Sequence, residues 1–315
     1  MGDAPTALAS VEPVAPPSPV LTSLLRALRP RQWSKNLLVF VAPAAAGAFH
    51  HRGTILDSLG AFGIFCAAAS STYLLNDSMD ADSDRLHPVK QNRPIASGDL
   101  AIPVAVSAGV ILGVGSVVAA WALAGWKLAL IVALYAVITA AYSLYFKRVP
   151  VVELAFLASG FVLRALAGGI ATHVPISTWF LAVTSFGALF VAAGKRSAEL
   201  KALGDDSEDH RQVLGDYTTS FLQSTLTLTA AVTVAAYCLW AFGSEGLAQG
   251  LGRSIHHDTI WIQLSVVPVT LGILHVLRLL DRGEGGAPED LVFRDRVLQI
   301  LGVMWVAFFA AGVYG

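Results

Sequence analysis

Apolar residues along this chain form long continuous runs instead of alternating with polar ones. Nine runs approach the roughly 20 residues that a helix needs to cross a bilayer. They lie at about residues 37–52, 54–75, 101–123, 126–146, 150–171, 177–195, 220–243, 258–280 and 296–314. The first run is the weakest because Pro43 interrupts it, although membrane helices tolerate proline. The pattern predicts an all-α, polytopic membrane protein with nine transmembrane helices.

The N-terminal residues depart from this pattern. Five prolines stand among small residues there, and no positively charged segment precedes an apolar one. This composition is typical of a disordered tail and not of a signal peptide. We therefore predict a disordered cytoplasmic tail over residues 1–22 and a single transmembrane domain over residues 23–315.

Composition supports the membrane assignment. Of the 315 residues 55% are hydrophobic and only 14% are charged, whereas soluble domains carry roughly 25% charged residues. A net charge of −1 gives no basic surface for nucleic acid. Cys66 and Cys238 both lie inside apolar runs, so the sequence predicts neither a disulfide framework nor a cysteine metal site.

Lysine and arginine predict the orientation. With nine spans, 17 of the 21 lysines and arginines fall on one side, three fall on the other, and Arg164 falls within a span. Because cytoplasmic loops carry the excess of positive charge, we expect the N-terminus and the long polar loops in the cytoplasm. The protein is then a multi-pass protein of the inner (plasma) membrane.

The densest acidic segment follows the second span. On a helix Asn76, Asp80 and Asp84 lie four residues apart, and Asp77 joins the same face. Three carboxylates on one face repel one another unless a cation lies among them, and hard oxygen ligands suit Mg²⁺ or Mn²⁺. These four residues are therefore the predicted metal ligands. The alternative is a solvated acidic loop that caps the helix.

Cations surround this segment in the sequence. Because magnesium and basic side chains together neutralise a diphosphate, we predict phosphate-binding residues at the cytoplasmic ends of several spans. The set comprises Lys35, Arg85, Lys90, Arg93, Tyr142, Lys147, Lys195 and Arg196. Some of them have simpler readings: Lys35 and Lys90 as topology markers and Tyr142 as an interfacial aromatic residue.

Two further features lie outside these clusters. Arg164 interrupts the fifth span, so we expect it to face the bundle interior and to pair with a phosphate or a carboxylate. Asp205 and Asp209 are four residues apart, the same spacing as Asp80 and Asp84, but they lie farther from the end of a span. We interpret them as a solvated loop, and their participation in the site stays open.

The pattern Asn76-Asp77-x-x-Asp80-x-x-x-Asp84, followed by Asn92-Arg93-Pro94 and Gly98, resembles the signature of the UbiA superfamily of intramembrane prenyltransferases. The resemblance covers nearly the whole chain. It implies a helical bundle around a central cavity capped on the cytoplasmic side, a Mg²⁺-bound diphosphate as leaving group, and a lipid tail that enters from the bilayer.

One segment departs from the superfamily pattern. Prenyl-diphosphate transferases carry a second aspartate motif after the sixth span, where this chain reads Lys195-Arg196-Ser197-Ala198-Glu199. Together with Arg29-Pro-x-Gln-Trp-x-Lys35-Asn36, this is similar to the decaprenyl-phosphate phosphoribosyltransferase branch. That branch transfers 5-phosphoribose from 5-phosphoribosyl 1-diphosphate to a polyprenyl phosphate and supplies precursors of cell-wall arabinan.

We predict a catalytic set of Asp77, Asp80, Asp84 and Glu199, in which Asp77 or Glu199 stabilises the developing ribosyl cation. The sequence leaves open the oligomeric state, a homo-oligomer included. One alternative is an aromatic or quinone prenyltransferase of the same superfamily, which would carry the second aspartate motif. A more remote one is an anion transporter, which predicts charged residues near the bilayer midplane.

Overall fold

The computed structural model describes residues 20–203, 212–243, 259–283, 291–292 and 294–315, and these contain helices and no β-strand. The α-helices are α1 Val20–Ala27, α2 Val41–Ala45, α3 Arg52–Met79, α4 Ala81–Leu86, α5 Ile102–Leu144, α6 Val152–Ala171, α7 Thr178–Leu203, α8 Gln212–Gly215, α9 Thr219–Phe242, α10 Thr259–Leu264, α11 Val266–Arg282 and α12 Arg296–Tyr314. Four 3₁₀ helices connect them: Pro30–Phe40, Ala48–His50, Lys90–Asn92 and Phe146–Arg148. The predicted all-helical fold is confirmed.

Seven helices in the described part of the chain are long and apolar enough to cross a membrane. One of them, α5, has 43 residues, which would make a straight helix of roughly 65 Å, about twice the thickness of the hydrocarbon core. Its backbone leaves the helical conformation at Ala124 and Gly125, where Gly125 has φ +75°. The sequence pattern places a boundary between two spans at this point.

The two halves of α5 run in opposite directions along α3. Four contacts define these directions: Gly60–Leu123 and Ser71–Gly109 in the first half, and Phe65–Tyr135 and Asn76–Ser143 in the second. The first half is therefore antiparallel to α3 and the second half is parallel to it. Glycine permits the reversal because it adopts positive φ without a steric penalty.

The first predicted span has a different structure. Residues 37–52 pass through the end of the 3₁₀ helix Pro30–Phe40, the short helix α2 and the 3₁₀ helix Ala48–His50. This segment is not among the seven long helices. It lies against α6, where Gly168 allows the backbone carbonyl of Val39 to approach so closely that an added Cβ would be 1.8 Å from the oxygen.

A buried core joins α3, α5 and α6. Its largest side chains are Ile64, Phe65, Leu128, Tyr135 and Leu163. The outer surface of α5 is also apolar, with Trp121 and Trp126 exposed, as suits a surface that faces lipid. Helix α1 begins at Val20, three residues before the predicted domain boundary at residue 23; residues 1–19 of the predicted tail lie outside the described residues.

Candidate active site

The aspartate motif lies at the end of α3 and in the short helix that follows. Helix α3 ends at Met79, Asp80 stands at the junction, and Ala81 begins α4. Asp77 and Asp84 are buried, whereas Asp80 is exposed. The interruption at Asp80 thus divides the predicted face into two buried carboxylates and one that reaches solvent.

Asp77 is held by two arginines from different segments. Arg29 Nη2 donates to both carboxylate oxygens of Asp77, at 2.7 and 2.6 Å, and Arg93 Nη1 donates to Asp77 Oδ1 at 3.1 Å. The Arg29 guanidinium also lies 4.9 Å from the centre of the Tyr73 ring, an attractive cation–π geometry. These contacts join the N-terminal 3₁₀ segment to the aspartate motif.

Arg93 connects the two buried aspartates. The same Nη1 atom that contacts Asp77 donates to Asp84 Oδ2 at 2.6 Å, and Lys90 Nζ lies 3.8 Å from Asp84 Oδ1. The predicted Lys90 and Arg93 are therefore beside the motif. Arg85 points elsewhere: it pairs with Asp82, whose side chain is 94% exposed, and it donates to the Ala96 carbonyl.

The donor set suits a hard cation that arrives with other oxygen ligands. Asp77 and Asp84 approach one nitrogen together, and Mg²⁺ is commonly held by one or two carboxylates plus substrate phosphates and water. Among the described residues no three His, Cys, Asp or Glu side chains converge into a ready-made metal site. Asn76 donates to Ser143 Oγ at 2.9 Å, which places its amide at the last turn of α5.

A second charged cluster lies where α5, α6 and α7 end or begin. Arg196 donates Nε and Nη2 to the two carboxylate oxygens of Glu153, each at 2.6 Å, and Nη2 also donates to the Tyr142 hydroxyl at 3.1 Å. Its Nη1 pairs with Glu199. We expected Arg196 to bind a substrate phosphate, but its side chain is 1% exposed and these partners enclose the guanidinium.

Tyr217 completes this cluster from the loop before α9. Its hydroxyl accepts the Val151 N–H at 2.7 Å and donates to Glu153 Oε1 at 3.4 Å. Burial raises the pKa of Tyr217 to about 12, because the ionised phenolate is poorly solvated there. The hydroxyl therefore keeps its proton at neutral pH and remains a donor to Glu153.

Arg164 faces the bundle interior, as predicted, but its partners are neutral. It donates Nε to Asn36 Oδ1 at 2.7 Å, Nη2 to the Tyr135 hydroxyl at 2.9 Å and Nη1 to the Gly160 carbonyl at 2.6 Å. Within the described ranges these neutral groups take the donors of Arg164 and no carboxylate pairs with it, while its contact with a substrate phosphate stays a prediction. Arg164 thus ties the 3₁₀ segment, through Asn36, to α5 and α6.

The other predicted cations lie at the same ends of the helices. Lys35 is in the 3₁₀ helix Pro30–Phe40, Lys147 follows α5, and Lys195 is in α7; all three are partly exposed. Asp205 and Asp209 lie outside the described residues.

Family comparisons agree with this architecture. A model of the UbiA prenyltransferase family matches residues 37–310. The chain belongs to the UbiA prenyltransferase family. The resemblance that the aspartate motif carries is thereby confirmed. The matched range contains all the helices described above except α1, the start of the 3₁₀ helix Pro30–Phe40 and the end of α12.

Several curated relatives of this UbiA chain share one name. The decaprenyl-phosphate phosphoribosyltransferase of Mycolicibacterium smegmatis is 41% identical over 95% of this chain and 95% of its own length. The proteins of that name from Corynebacterium glutamicum and Mycobacterium tuberculosis are each 40% identical over 95% of this chain, and over 89% and 96% of their own lengths.

Solved UbiA structures share the fold. A UbiA homologue from Archaeoglobus fulgidus bound to GPP and Mg²⁺ matches 93% of this chain and 98% of that chain, with a TM-score of 0.64 and 19% identity. A UbiA homologue from Aeropyrum pernix matches 94% and 98%, with a TM-score of 0.57 and 15% identity.

Arg29 and Glu153 are the charged residues of these clusters that are absent from the predicted site. Arg29 was one of the cations that predicted the membrane orientation, and in the structure it binds Asp77. Glu153 lies three residues inside the fifth predicted span. A carboxylate within an apolar run is the same signal that drew attention to Arg164, and it applied equally to Glu153.

Proposed function

We propose that this UbiA chain transfers 5-phosphoribose from 5-phosphoribosyl 1-diphosphate to a polyprenyl phosphate and releases diphosphate, as the name decaprenyl-phosphate phosphoribosyltransferase describes. The observation that carries the proposal is the identity of about 40% over 95% of the chain to three proteins of that name. The product would feed synthesis of cell-wall arabinan precursors.

The donor diphosphate is proposed to bind at the aspartate motif. Asp77 and Asp84, with Asn76 and the exposed Asp80, would hold Mg²⁺, or Mn²⁺ in its place, and the ion would neutralise the leaving diphosphate. Arg93 and Lys90 contact these carboxylates and are close enough to turn toward a bound phosphate. Lys35, Lys147 and Lys195 would meet the 5-phosphate and the lipid phosphate.

The chemistry is a substitution at C1 of the ribose. The bond between C1 and the diphosphate oxygen breaks, the electron pair leaves with diphosphate, and an oxygen of the lipid phosphate forms the new bond to C1. A phosphate monoester is already largely ionised at neutral pH, so no strong base is required. The protein contributes positioning and charge stabilisation, with Asp77 or Glu199 facing the ribosyl cation.

The membrane arrangement follows from the same proposal. We infer nine crossings, with the segment 37–52 as the first and the two halves of α5 as the third and fourth. The protein would lie in the inner (plasma) membrane. Its cation-rich helix ends would face the cytoplasm, where the water-soluble donor is present. The lipid tail would lie among the apolar helices, in the central cavity that the resemblance implies.

A substrate-pair assay tests the proposal. The purified full-length chain is given Mg²⁺ with either 5-phosphoribosyl 1-diphosphate and decaprenyl phosphate, or a prenyl diphosphate and an aromatic acid. We expect diphosphate release with the first pair and not with the second. Release with the second pair alone would favour a UbiA aromatic prenyltransferase. Its donor would be a prenyl diphosphate, the kind of molecule that the GPP-bound homologue holds.

A further inference from the structure

Glu153 and Arg196 form a fully buried ion pair between the first turn of α6 and α7. Their side chains are 0% and 1% exposed, and the two contacts between them are each 2.6 Å long. The pair is separate from the aspartate motif, and Glu153 belongs to none of the sequence motifs discussed above. It is the most deeply enclosed charge pair of the described chain.

The carboxylate of Glu153 is saturated with donors. Besides the two Arg196 nitrogens, the Tyr217 hydroxyl donates to Oε1 at 3.4 Å and the Tyr142 hydroxyl donates to Oε2 at 3.5 Å. Arg196 in turn reaches Glu199 and Tyr142 with its remaining contacts. Each side chain of the cluster therefore has its orientation set by at least one charged partner.

The backbone beside Glu153 is strained. Val151 has φ +68° and ψ −50°, and the Val152 N–H donates to the Pro150 carbonyl at 2.7 Å. This is a rare γ-turn conformation, and it is unfavourable for a β-branched residue. Such strain costs about 1–3 kcal/mol and persists only where the surroundings enforce it. Here the Tyr217 hydroxyl accepts the Val151 N–H, and this contact holds the turn against the loop before α9.

The cluster reaches the aspartate motif through the last turn of α5. Tyr142, which contacts Arg196, is followed by Ser143, which accepts the hydrogen bond from Asn76. A displacement of this turn would move both contacts together, because Tyr142 and Ser143 are consecutive residues of one helix. The ion pair and the predicted metal site are thus two contacts apart.

We propose that Glu153 is a positioning residue: by fixing Arg196 it holds Tyr142, Ser143 and Glu199 in register with the aspartate motif. Stability alone is a weak reason for this pair, since buried ion pairs are often no more stabilising than apolar side chains of similar size. Arg196 acts here through Tyr142 and Glu199 and does not bind phosphate. The proposal rests on the proposed function for its kinetic consequences.

A double-mutant cycle between Glu153→Gln and Tyr142→Phe tests this role. The glutamine leaves Arg196 with Glu199 as its remaining counter-ion, and the phenylalanine removes only a hydroxyl. We expect each variant to lower kcat for diphosphate release by about tenfold, since small displacements of reacting groups have effects of this order. Because both changes release the same turn, the kcat of the double variant should be no more than about twofold lower than that of the less active single variant.

Tyr145→Phe is the matched control, because it removes a hydroxyl at the same end of α5 from a residue that is 71% exposed and makes none of the hydrogen bonds of the cluster. We expect it to leave the melting temperature unchanged and kcat within about twofold of wild type. A double variant whose kcat falls about 100-fold, the product of the two single losses, would overturn the proposal. Wild-type kcat in Glu153→Gln would also overturn it.

Arg196→Lys covers the case in which Glu153→Gln does not fold. Lysine keeps a positive charge beside Glu153 but lacks the fork that reaches Tyr142 and Glu199 together. We expect a folded protein with a similar loss of kcat, and unchanged kcat would overturn the proposal.

A binding measurement separates this proposal from the proposed function. If wild type releases no diphosphate from the phosphoribosyl donor, the proposed function fails. The positioning role is then read from the rise in melting temperature that Mg²⁺ plus inorganic diphosphate produces. We expect this rise in wild type and Tyr145→Phe and a smaller one in Tyr142→Phe and Glu153→Gln, or in Arg196→Lys where Glu153→Gln does not fold. Equal rises in all variants, or none in any, would overturn the proposal.

Discussion

Arg29 and Asp77 join two parts of the chain that are 48 residues apart. A single guanidinium nitrogen lies 2.7 and 2.6 Å from the two oxygens of a buried carboxylate. Arg29 itself has φ +53°, a conformation that is uncommon for a residue with a side chain. The pair therefore fixes where the N-terminal segment meets the aspartate motif.

Arg29→Ala should destabilise the protein because it removes this partner from buried Asp77. A hydrogen bond to a charged group contributes about 1.5–3 kcal/mol, so we expect a loss of about 2 kcal/mol, measured as a lower melting temperature. Arg29→Ala/Asp77→Asn should lose less than the sum of the single variants. Arg26→Ala is the control, since Arg26 lies 4.0 Å from Asp99 and is 57% exposed. An equal effect of both alanine variants would contradict the role of Arg29.

Asp84→Asn should reduce transfer by at least 100-fold, because it removes a charge from the proposed diphosphate site while keeping the side-chain shape. Asp82→Asn provides the matched control two residues away, since Asp82 is exposed and contacts Arg85. We expect near wild-type rates for Asp82→Asn, measured as diphosphate release. Similar rates for the two variants would show that the acidic segment acts only as a solvated loop.

Gly168→Ala should disrupt the contact between α6 and the first apolar segment. An added Cβ would lie 1.8 Å from the Val39 carbonyl oxygen, so the helix or the segment must move. Overpacking of this kind costs about 1–3 kcal/mol or more, which would lower the melting temperature. Gly115→Ala, where no atom lies within 4 Å of the added Cβ, should leave it unchanged or raise it. A stable Gly168→Ala variant would contradict the close approach.

Arg164→Lys should affect stability more than substrate binding. Lysine cannot donate to Asn36, Tyr135 and the Gly160 carbonyl at once, and Arg164 lies 12 residues beyond the start of α6, roughly 18 Å along the helix. We expect a lower melting temperature and an unchanged KM for the phosphoribosyl donor. A KM raised about tenfold with an unchanged melting temperature would restore Arg164 as a phosphate ligand.

Local patterns in the sequence predicted much of this fold. Apolar runs located the long helices, and the break between residues 123 and 126 coincides with the reversal at Ala124 and Gly125. The irregular first segment was not predicted, because hydropathy measures apolar length and does not distinguish 3₁₀ turns from a continuous helix. Helix periodicity also placed Asp80 with Asp77 and Asp84, whereas the helix ends just before it.

Partners distant in sequence were the main limit for the site. The aspartate spacing predicted that Asp77 and Asp84 lie together, as they do beside Arg93. No local pattern pairs Arg29 with Asp77 or Glu153 with Arg196, which lie 48 and 43 residues apart. Arg196 shows the consequence. Its sequence neighbours suggested a free cation for phosphate, while a carboxylate from another helix already occupies its guanidinium.

The central claim concerns which bond of the donor breaks and where the pentose goes. The most direct measurement uses 5-phosphoribosyl 1-diphosphate labelled at the 5-phosphate, incubated with the purified chain, Mg²⁺ and decaprenyl phosphate. The account predicts that the label enters the lipid fraction, in amounts equal to the diphosphate released, and that Asp84→Asn abolishes this transfer. Label that stays entirely in the aqueous fraction while wild type is folded would contradict the account.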